Sequence, residues 1–287
     1  MNCSRFTCSK AFPSVLRPDY QRQIGPRMKD NLSRTPSMYE DADLQDLALA
    51  TMPLDELYGK ASKNLEYEKN APLPGGENLP RWNLTEYSTI AMMSWFKNEF
   101  FIWRSTYSHE DEERSRRRMD KLLGSIDRAL GTRVRWVWTA NDHIFVKVYS
   151  VGQGRWAHAD SCDSVFDKPR FYREARGKAL TYAIDFSVDG ATDVTTRYVR
   201  KVSLFRQSPR TQCSEEVLLC ILQRITALRR SSVGDKERAL LREEDGLEQV
   251  ELGSYIMSSV ASEFIANFGS RGTAQSKKKL VSKACES

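Results

Sequence analysis

His143 and Asp160 are a base and a carboxylate carried by two neighbouring strand-like runs within RVRWVWTANDHIFVKVYSVGQGRWAHAD, residues 133 to 160. An imidazole can take the proton of a nucleophile. A carboxylate bonded to its other nitrogen fixes the tautomer in which the first is free. The alternation of residues sets the geometry. From His143 to Tyr149, Ile144, Val146 and Val148 form one apolar face, and His143, Phe145, Lys147 and Tyr149 form the other. Residues 151 to 154 contain Gly152 and Gly154 and read as a turn. The next run places Trp156, His158 and Asp160 on one face. Paired as an antiparallel hairpin, the two runs bring Asp160 opposite His143 or one pair away. The same spacing equally fits a hairpin whose histidine and aspartate only hydrogen-bond each other, and no obvious nucleophile stands beside the pair.

The elements that must hold this hairpin are legible in outline. With 287 residues, 40% of them hydrophobic, the chain can bury one sizeable core. Residues 1 to 37 are rich in Ser, Pro and Arg and are expected to be disordered. They lack acids until Asp19, as transit peptides do, but their helical amphipathicity is poor. Asp41 to Leu65 reads as one or two helices, the second begun by Pro53, and residues 71 to 80 (APLPGGENLP) as a linker. These form an N-terminal helical unit, 38 to 83. A core spans 84 to 212, C-terminal helices span 213 to 270, and a basic disordered tail spans 271 to 287. Ser214 to Arg230 is amphipathic through Val217, Leu218, Ile221, Leu222, Ile225 and Leu228, and Asp235 to Gln249 looks like a further helix. No apolar run approaches the roughly 18 residues of a membrane span. The absence of a signal peptide or a framework of cysteine spacings suits a reducing compartment. The net charge of +6 is split among RSRRR, the lysine-rich tail and scattered sites, without a nucleic-acid motif, so nucleic acid is not the expected partner.

Several short stretches occur in a telling order: WFKNEFFIW (95 to 103), RWVW (135 to 138), Asp142-His143, RWAHADSCDSVFDKPRFY (155 to 172), GKALTYAIDFSVDG (177 to 190) and DVTTRY (193 to 198). Together they resemble the cytoplasmic peptide:N-glycanases of fungal type, over roughly residues 84 to 253. The resemblance implies an α+β fold with a transglutaminase-like (papain-like) core, an antiparallel sheet packed with helices. It also implies an amidase that cleaves N-glycans from the asparagines of misfolded glycoproteins in the cytosol, with a Cys–His–Asp triad and a structural zinc held by two CxxC pairs. Carried over by motif, His143 is the base and Asp160 its orienter. Trp103 and Trp156 match aromatics of the sugar-binding groove. Phe145 stands for a groove tryptophan, and Asp163 for a sugar-contacting glutamate. Each aromatic can equally be a strand residue packing the hairpin. The implied partners are N-glycosylated misfolded proteins and a proteasome-shuttling ubiquitin receptor, with the Ser214 to Gln249 region as the contact. The implied location is the cytoplasm, with the nucleus as a second.

The chain departs from the family where the chemistry matters most. After Trp103 the segment RSTYSHEDEERSRRRMDKLLGSIDRALG (104 to 131) is several tens of residues short and contains no cysteine. Its helical pattern through Met119, Leu122, Leu123, Ile126, Ala129 and Leu130 survives. Aligning its end with the family puts Arg116 at the nucleophile position. A guanidinium does not deprotonate in a protein and cannot attack a carbonyl, and nothing directs the adjacent Ser115 at His143. Cys3, Cys8, Cys162, Cys213, Cys220 and Cys285 include no CxxC pair, so no zinc or other cofactor is expected. Cys162 reads as a packed thiol, and Cys213 and Cys220 as small apolar residues on one helix face. Three readings follow. The first is a catalytically impaired or dead member acting as a glycan-binding or scaffold protein. The second is an active amidase with an unplaced nucleophile. The third is a transcript lacking one exon of an ordinary enzyme.

Overall fold

The computed structural model describes residues 34–70, 82–100, 123–140, 143–177, 180–200, 210–211 and 213–284. Several of its helices begin where a polar side chain satisfies free backbone N–H groups. After the short α1 (Thr35–Met38), α2 (Ala42–Ala50) is capped by Asp41, whose carboxylate accepts from the N–H groups of Asp43 and Leu44. Helix α3 (Leu54–Asn70) follows Pro53. Helix α4 (Leu84–Trp95) starts with a reciprocal capping box between Asn83 and Glu86 and runs into a π-helical turn, Phe96–Phe100. Residues 123–129 form α5, which ends at Gly131 with a φ of 80°, a conformation glycine adopts without steric cost.

Six antiparallel strands follow: β1 (Val134–Thr139), β2 (Ile144–Ser150), β3 (Arg155–Asp160), β4 (Val165–Phe166), β5 (Ala183–Phe186) and β6 (Ala191–Asp193). Their order in the sheet is β4-β3-β2-β1-β5-β6. Short helices α6 (Phe171–Glu174) and α7 (Thr195–Tyr198) interrupt the strands. Helix α8 (Glu215–Arg229) is capped by Ser214, and α9 runs from Asp235 to Ala284. The expected α+β class with an antiparallel sheet packed by helices is what is found. Thr35 and Pro36 are buried in α1. The backbone of α9 stays helical through residues 271–284, where alanine, glutamine and lysine favour helix and no proline interrupts it.

The sheet has two different faces. Val134, Trp136, Ile144, Val146, Val148, Ala157, Ala159, Ile184 and Phe186 join α2–α5 and α8 in the larger core. On the other face, Val137, Phe145, Tyr172, Ala183, Tyr198 and Leu252 form a smaller apolar cluster. Beside it lies a buried ionic layer. Lys147, with no exposed surface, donates to Asp185 (2.6 Å) and to Glu248 of α9 (2.8 Å). Arg135 bonds the same two carboxylates, at 3.2 and 2.5 Å. Arg197 grips Glu251 with two bonds of 2.9 Å and reaches Glu248 at 3.2 Å. Burial pulls the Lys147 ammonium below its ordinary range, against Asp185 and Glu248, which draw it upward. For Glu248 burial acts upward, and Arg135, Lys147 and Arg197 together hold it well below the usual carboxylate range. Helix α9 is therefore fastened to a polar strand face by complementary charge.

Candidate active site

The β2–β3 register is fixed by a four-residue turn, 151–154, in which Gly154 takes a φ of 60°. Val146 pairs with Ala159 and Lys147 with His158. Asp160 at the end of β3 therefore falls one same-face position from His143, just before β2. The β1–β2 turn holds the histidine's backbone. Thr139 Oγ1 donates to the His143 carbonyl at 2.7 Å and accepts from its N–H at 3.2 Å. His143 Nε2 meets Asp160 Oδ2 at 2.9 Å, and both side chains are buried. His143 Nδ1 is also buried and has no hydrogen-bond partner among the described residues.

Asp160 is held on every side. Its Oδ1 accepts from the backbone N–H groups of Cys162 (2.8 Å) and Asp163 (3.3 Å), and its Oδ2 accepts from Tyr172 Oη at 2.5 Å. Burial alone would raise its pKa. The hydrogen bond and charge of His143, the His158 ring and the Tyr172 hydroxyl outweigh burial and hold the carboxyl well below its ordinary range. Asp160 is thus an ionised acceptor at neutral pH, the species an orienting carboxylate must be. The chain after it is pinned by left-handed residues on either side of β4, Ser164 (φ 53°) and Asp167 (φ 49°). Asp167 takes two 2.8 Å bonds from Arg155, and its N–H donates to the His158 carbonyl at 2.7 Å. From the π-helical turn, Lys97 Nζ donates to the Asp163 carbonyl at 2.8 Å, tying α4 to the site.

Of the expected groove residues, Phe145 and Trp156 are both buried. Phe145 is fully buried, stacked on Tyr172 at 5.2 Å and edge-on to His158 at 4.5 Å. Trp156 is buried at the other end of β3, under the Arg135 guanidinium at 4.1 Å and against Tyr149. Residues of α6, α7 and α9 cover that face of the sheet. Asp163 does lie at the site. Its carboxylate comes within 4.8 Å of the His143 and Asp160 donor atoms, and it is ion-paired with Arg176. These three residues are a poor cation site, since Asp160 already receives four donors and Asp163 a guanidinium. Cys162 packs against the larger core, as expected of a structural thiol, whereas Cys213 precedes the α8 cap and is not a helical residue. Trp103, Arg116 and Ser115 lie outside the described residues. Tyr172 and His158 were missed in the sequence. The strand period puts His158 on the face of Asp160, but nothing in RFY predicts that Tyr172 folds back onto it.

An antiparallel sheet between helical layers thus holds a buried imidazole whose Nε2 is bound to an ionised aspartate. The chain is 31% identical to the peptide-N(4)-(N-acetyl-beta-glucosaminyl)asparagine amidase of Yarrowia lipolytica, over 82% of this chain and 80% of that one. It belongs to the peptide:N-glycanase family. It is 29% identical to Protein png-1 of Neurospora crassa, over 78% of this chain and 66% of the relative. It is also 29% identical to the mouse amidase, over 75% of this chain but 40% of that protein. The Yarrowia alignment runs over 296 positions, more than the 287 residues of this chain, while using 82% of them. Several tens of positions of the relative therefore have no counterpart here. No protein-family model matches the sequence. A solved Rad4–Rad23 complex bound to a 6-4 photoproduct lesion overlays with a TM-score of 0.46 at 12% identity, over 79% of this chain and 58% of that one.

Proposed function

We propose that this chain retains the family's base–carboxylate pair on a transglutaminase-like core but is catalytically impaired. It would then serve the deglycosylation of misfolded glycoproteins (the ER-associated degradation route) as a binding or scaffold protein. The observation that carries this reading is His143 Nδ1, buried, without a hydrogen-bond partner among the described residues and oriented by Asp160, in a chain whose 104–131 segment has no cysteine. In an amidase of this kind Nδ1 would draw a proton from the thiol and then deliver it to the leaving amine. Arg116, the residue aligned with the nucleophile, cannot perform the attack. Asp163, beside the pair, is a candidate for a glycan contact together with Trp103, Phe145 and Trp156.

The proposed clients are N-glycosylated misfolded proteins in the cytoplasm, the nucleus being a second location. Among the described residues no helix is long and apolar enough to cross a membrane. A proteasome-shuttling ubiquitin receptor is proposed to dock on the C-terminal helices. Within Ser214 to Gln249, Leu219 and Leu228 of α8 and Leu240 and Leu247 of α9 are exposed. The reading is tested by passing a denatured high-mannose glycoprotein over the immobilised chain. Retention that disappears when the same glycoprotein has been stripped of its glycans supports it. Equal retention of both forms, or of neither, refutes a glycan-directed role.

A further inference from the structure

Two residues outside the base–carboxylate pair reach into it. Tyr172 Oη lies 2.5 Å from Asp160 Oδ2 and 3.0 Å from His158 Nε2. His143, His158, Asp160 and Tyr172 are all buried, so these contacts are made without competing solvent. Proton counting then fixes the direction of every bond. A phenol carries one hydrogen, and an ionised carboxylate only accepts. The Tyr172 hydrogen therefore goes to Asp160, and Tyr172 can meet His158 only as an acceptor. His158 must donate from Nε2, which leaves its lone pair on Nδ1; that atom is buried without a partner among the described residues. On the other side Asp160 Oδ2 accepts from His143 Nε2–H, which leaves the lone pair of that ring on Nδ1 as well.

We propose that Tyr172, with its hydroxyl ordered by His158, is a positioning residue that fixes Asp160 and through it holds His143 in the Nε2–H form. The chain runs from His158 Nε2–H to Tyr172 Oη–H to Asp160 Oδ2, which also receives His143 Nε2–H. Packing sets the position of the phenol. Its ring stacks on Phe145 with a 14° interplanar angle and stands edge-on to His143 at 4.7 Å. Burial and the Asp160 charge push the Tyr172 hydroxyl well above its ordinary range, so it remains a donor. Burial likewise lowers His158 to about 4, which keeps it neutral with a single N–H. The inference deepens the active-site reading of His143, but its test requires no turnover.

The full chain is labelled with ¹⁵N in its histidine rings, and two-bond ¹H–¹⁵N correlations are recorded at about pH 8.5, above the ordinary histidine range. With three histidines in the sequence, single substitutions assign the rings. Both His143 and His158 are expected as pure Nε2–H tautomers. Tyr172→Phe removes the acceptor of His158 and one donor to Asp160, and should give each ring a second, exchanging tautomer. His158→Gln supplies an amide N–H to Tyr172 and should leave His143 in one form, whereas His158→Leu should not. A wild-type His158 in the Nδ1–H form overturns the proposal without any variant. So does a His143 signal unchanged in both Tyr172→Phe and His158→Leu, the result for a hydroxyl that only stabilises the fold. Absence of glycan binding would refute the proposed function and leave this result untouched.

Discussion

Replacing Asp127 by asparagine is expected to stabilise the protein strongly at pH 8 and only slightly at pH 4.5. Asp127 lies in α5, where Thr89 Oγ1 of α4 donates to its Oδ1 at 2.8 Å and its buried Oδ2 has no partner among the described residues. Burial raises the carboxyl to about 7, and the Thr89 hydrogen bond recovers only part of that cost. For a carboxyl raised on folding, the unfolded chain ionises first. Stability therefore falls as pH rises from the unfolded value near 3.8 to the folded value near 7, and is level above it. At about 1.4 kcal/mol per unit, the penalty is about 4 kcal/mol at pH 8 and about 1 kcal/mol at pH 4.5. Asparagine mimics the protonated acid, with an oxygen for Thr89 and one unmet donor in place of Oδ2. The substitution should therefore gain about 3 kcal/mol more at pH 8 than at pH 4.5. Urea unfolding followed by tryptophan fluorescence at the two pH values measures the difference. The same gain at both, or a loss at pH 8, would show that Asp127 is ionised and solvated in the folded protein.

His158 should act in the opposite sense. Its folded value of about 4 lies below the ordinary 6.5, so stability is lost as pH falls between those values, by about 3 kcal/mol, and His158→Gln should remove that loss in acid denaturation curves. The two effects nearly offset in the wild-type protein, so each becomes visible only when the other group is replaced. Glu248→Gln leaves Arg135, Lys147 and Arg197 with one carboxylate fewer in a dry layer. It should cost about 3–5 kcal/mol and make α9 more sensitive to limited proteolysis; unchanged unfolding would mean that α9 does not depend on the ionic layer. Gly124→Ala would place a methyl 2.5 Å from the Tyr39 ring and should cost about 1–3 kcal/mol by thermal unfolding.

The hairpin and its buried pair were legible because a period of two and a four-residue turn leave a single register that buries Ile144, Val146 and Val148. Helix starts were legible where side chains cap them, as at Asp41, Asn83 and Ser214. What alternation concealed is the fate of the polar strand face. Arg135, Lys147 and Asp185 look like a solvated face in the sequence, yet α9 covers them. The signal lay far along the chain, in the spacing of Glu244, Glu248 and Glu251 on one side of a helix. The Asp127 carboxyl gave no warning, because its burial depends on how α4 and α5 meet and not on its neighbours in sequence.

The most direct measurement follows the Asn-to-Asp mass change when the purified chain is incubated with a denatured high-mannose glycoprotein, beside a His143→Ala control. An oriented base without a thiol predicts no conversion above that control. Conversion by the wild-type chain that is abolished in His143→Ala would establish a working nucleophile and contradict the account.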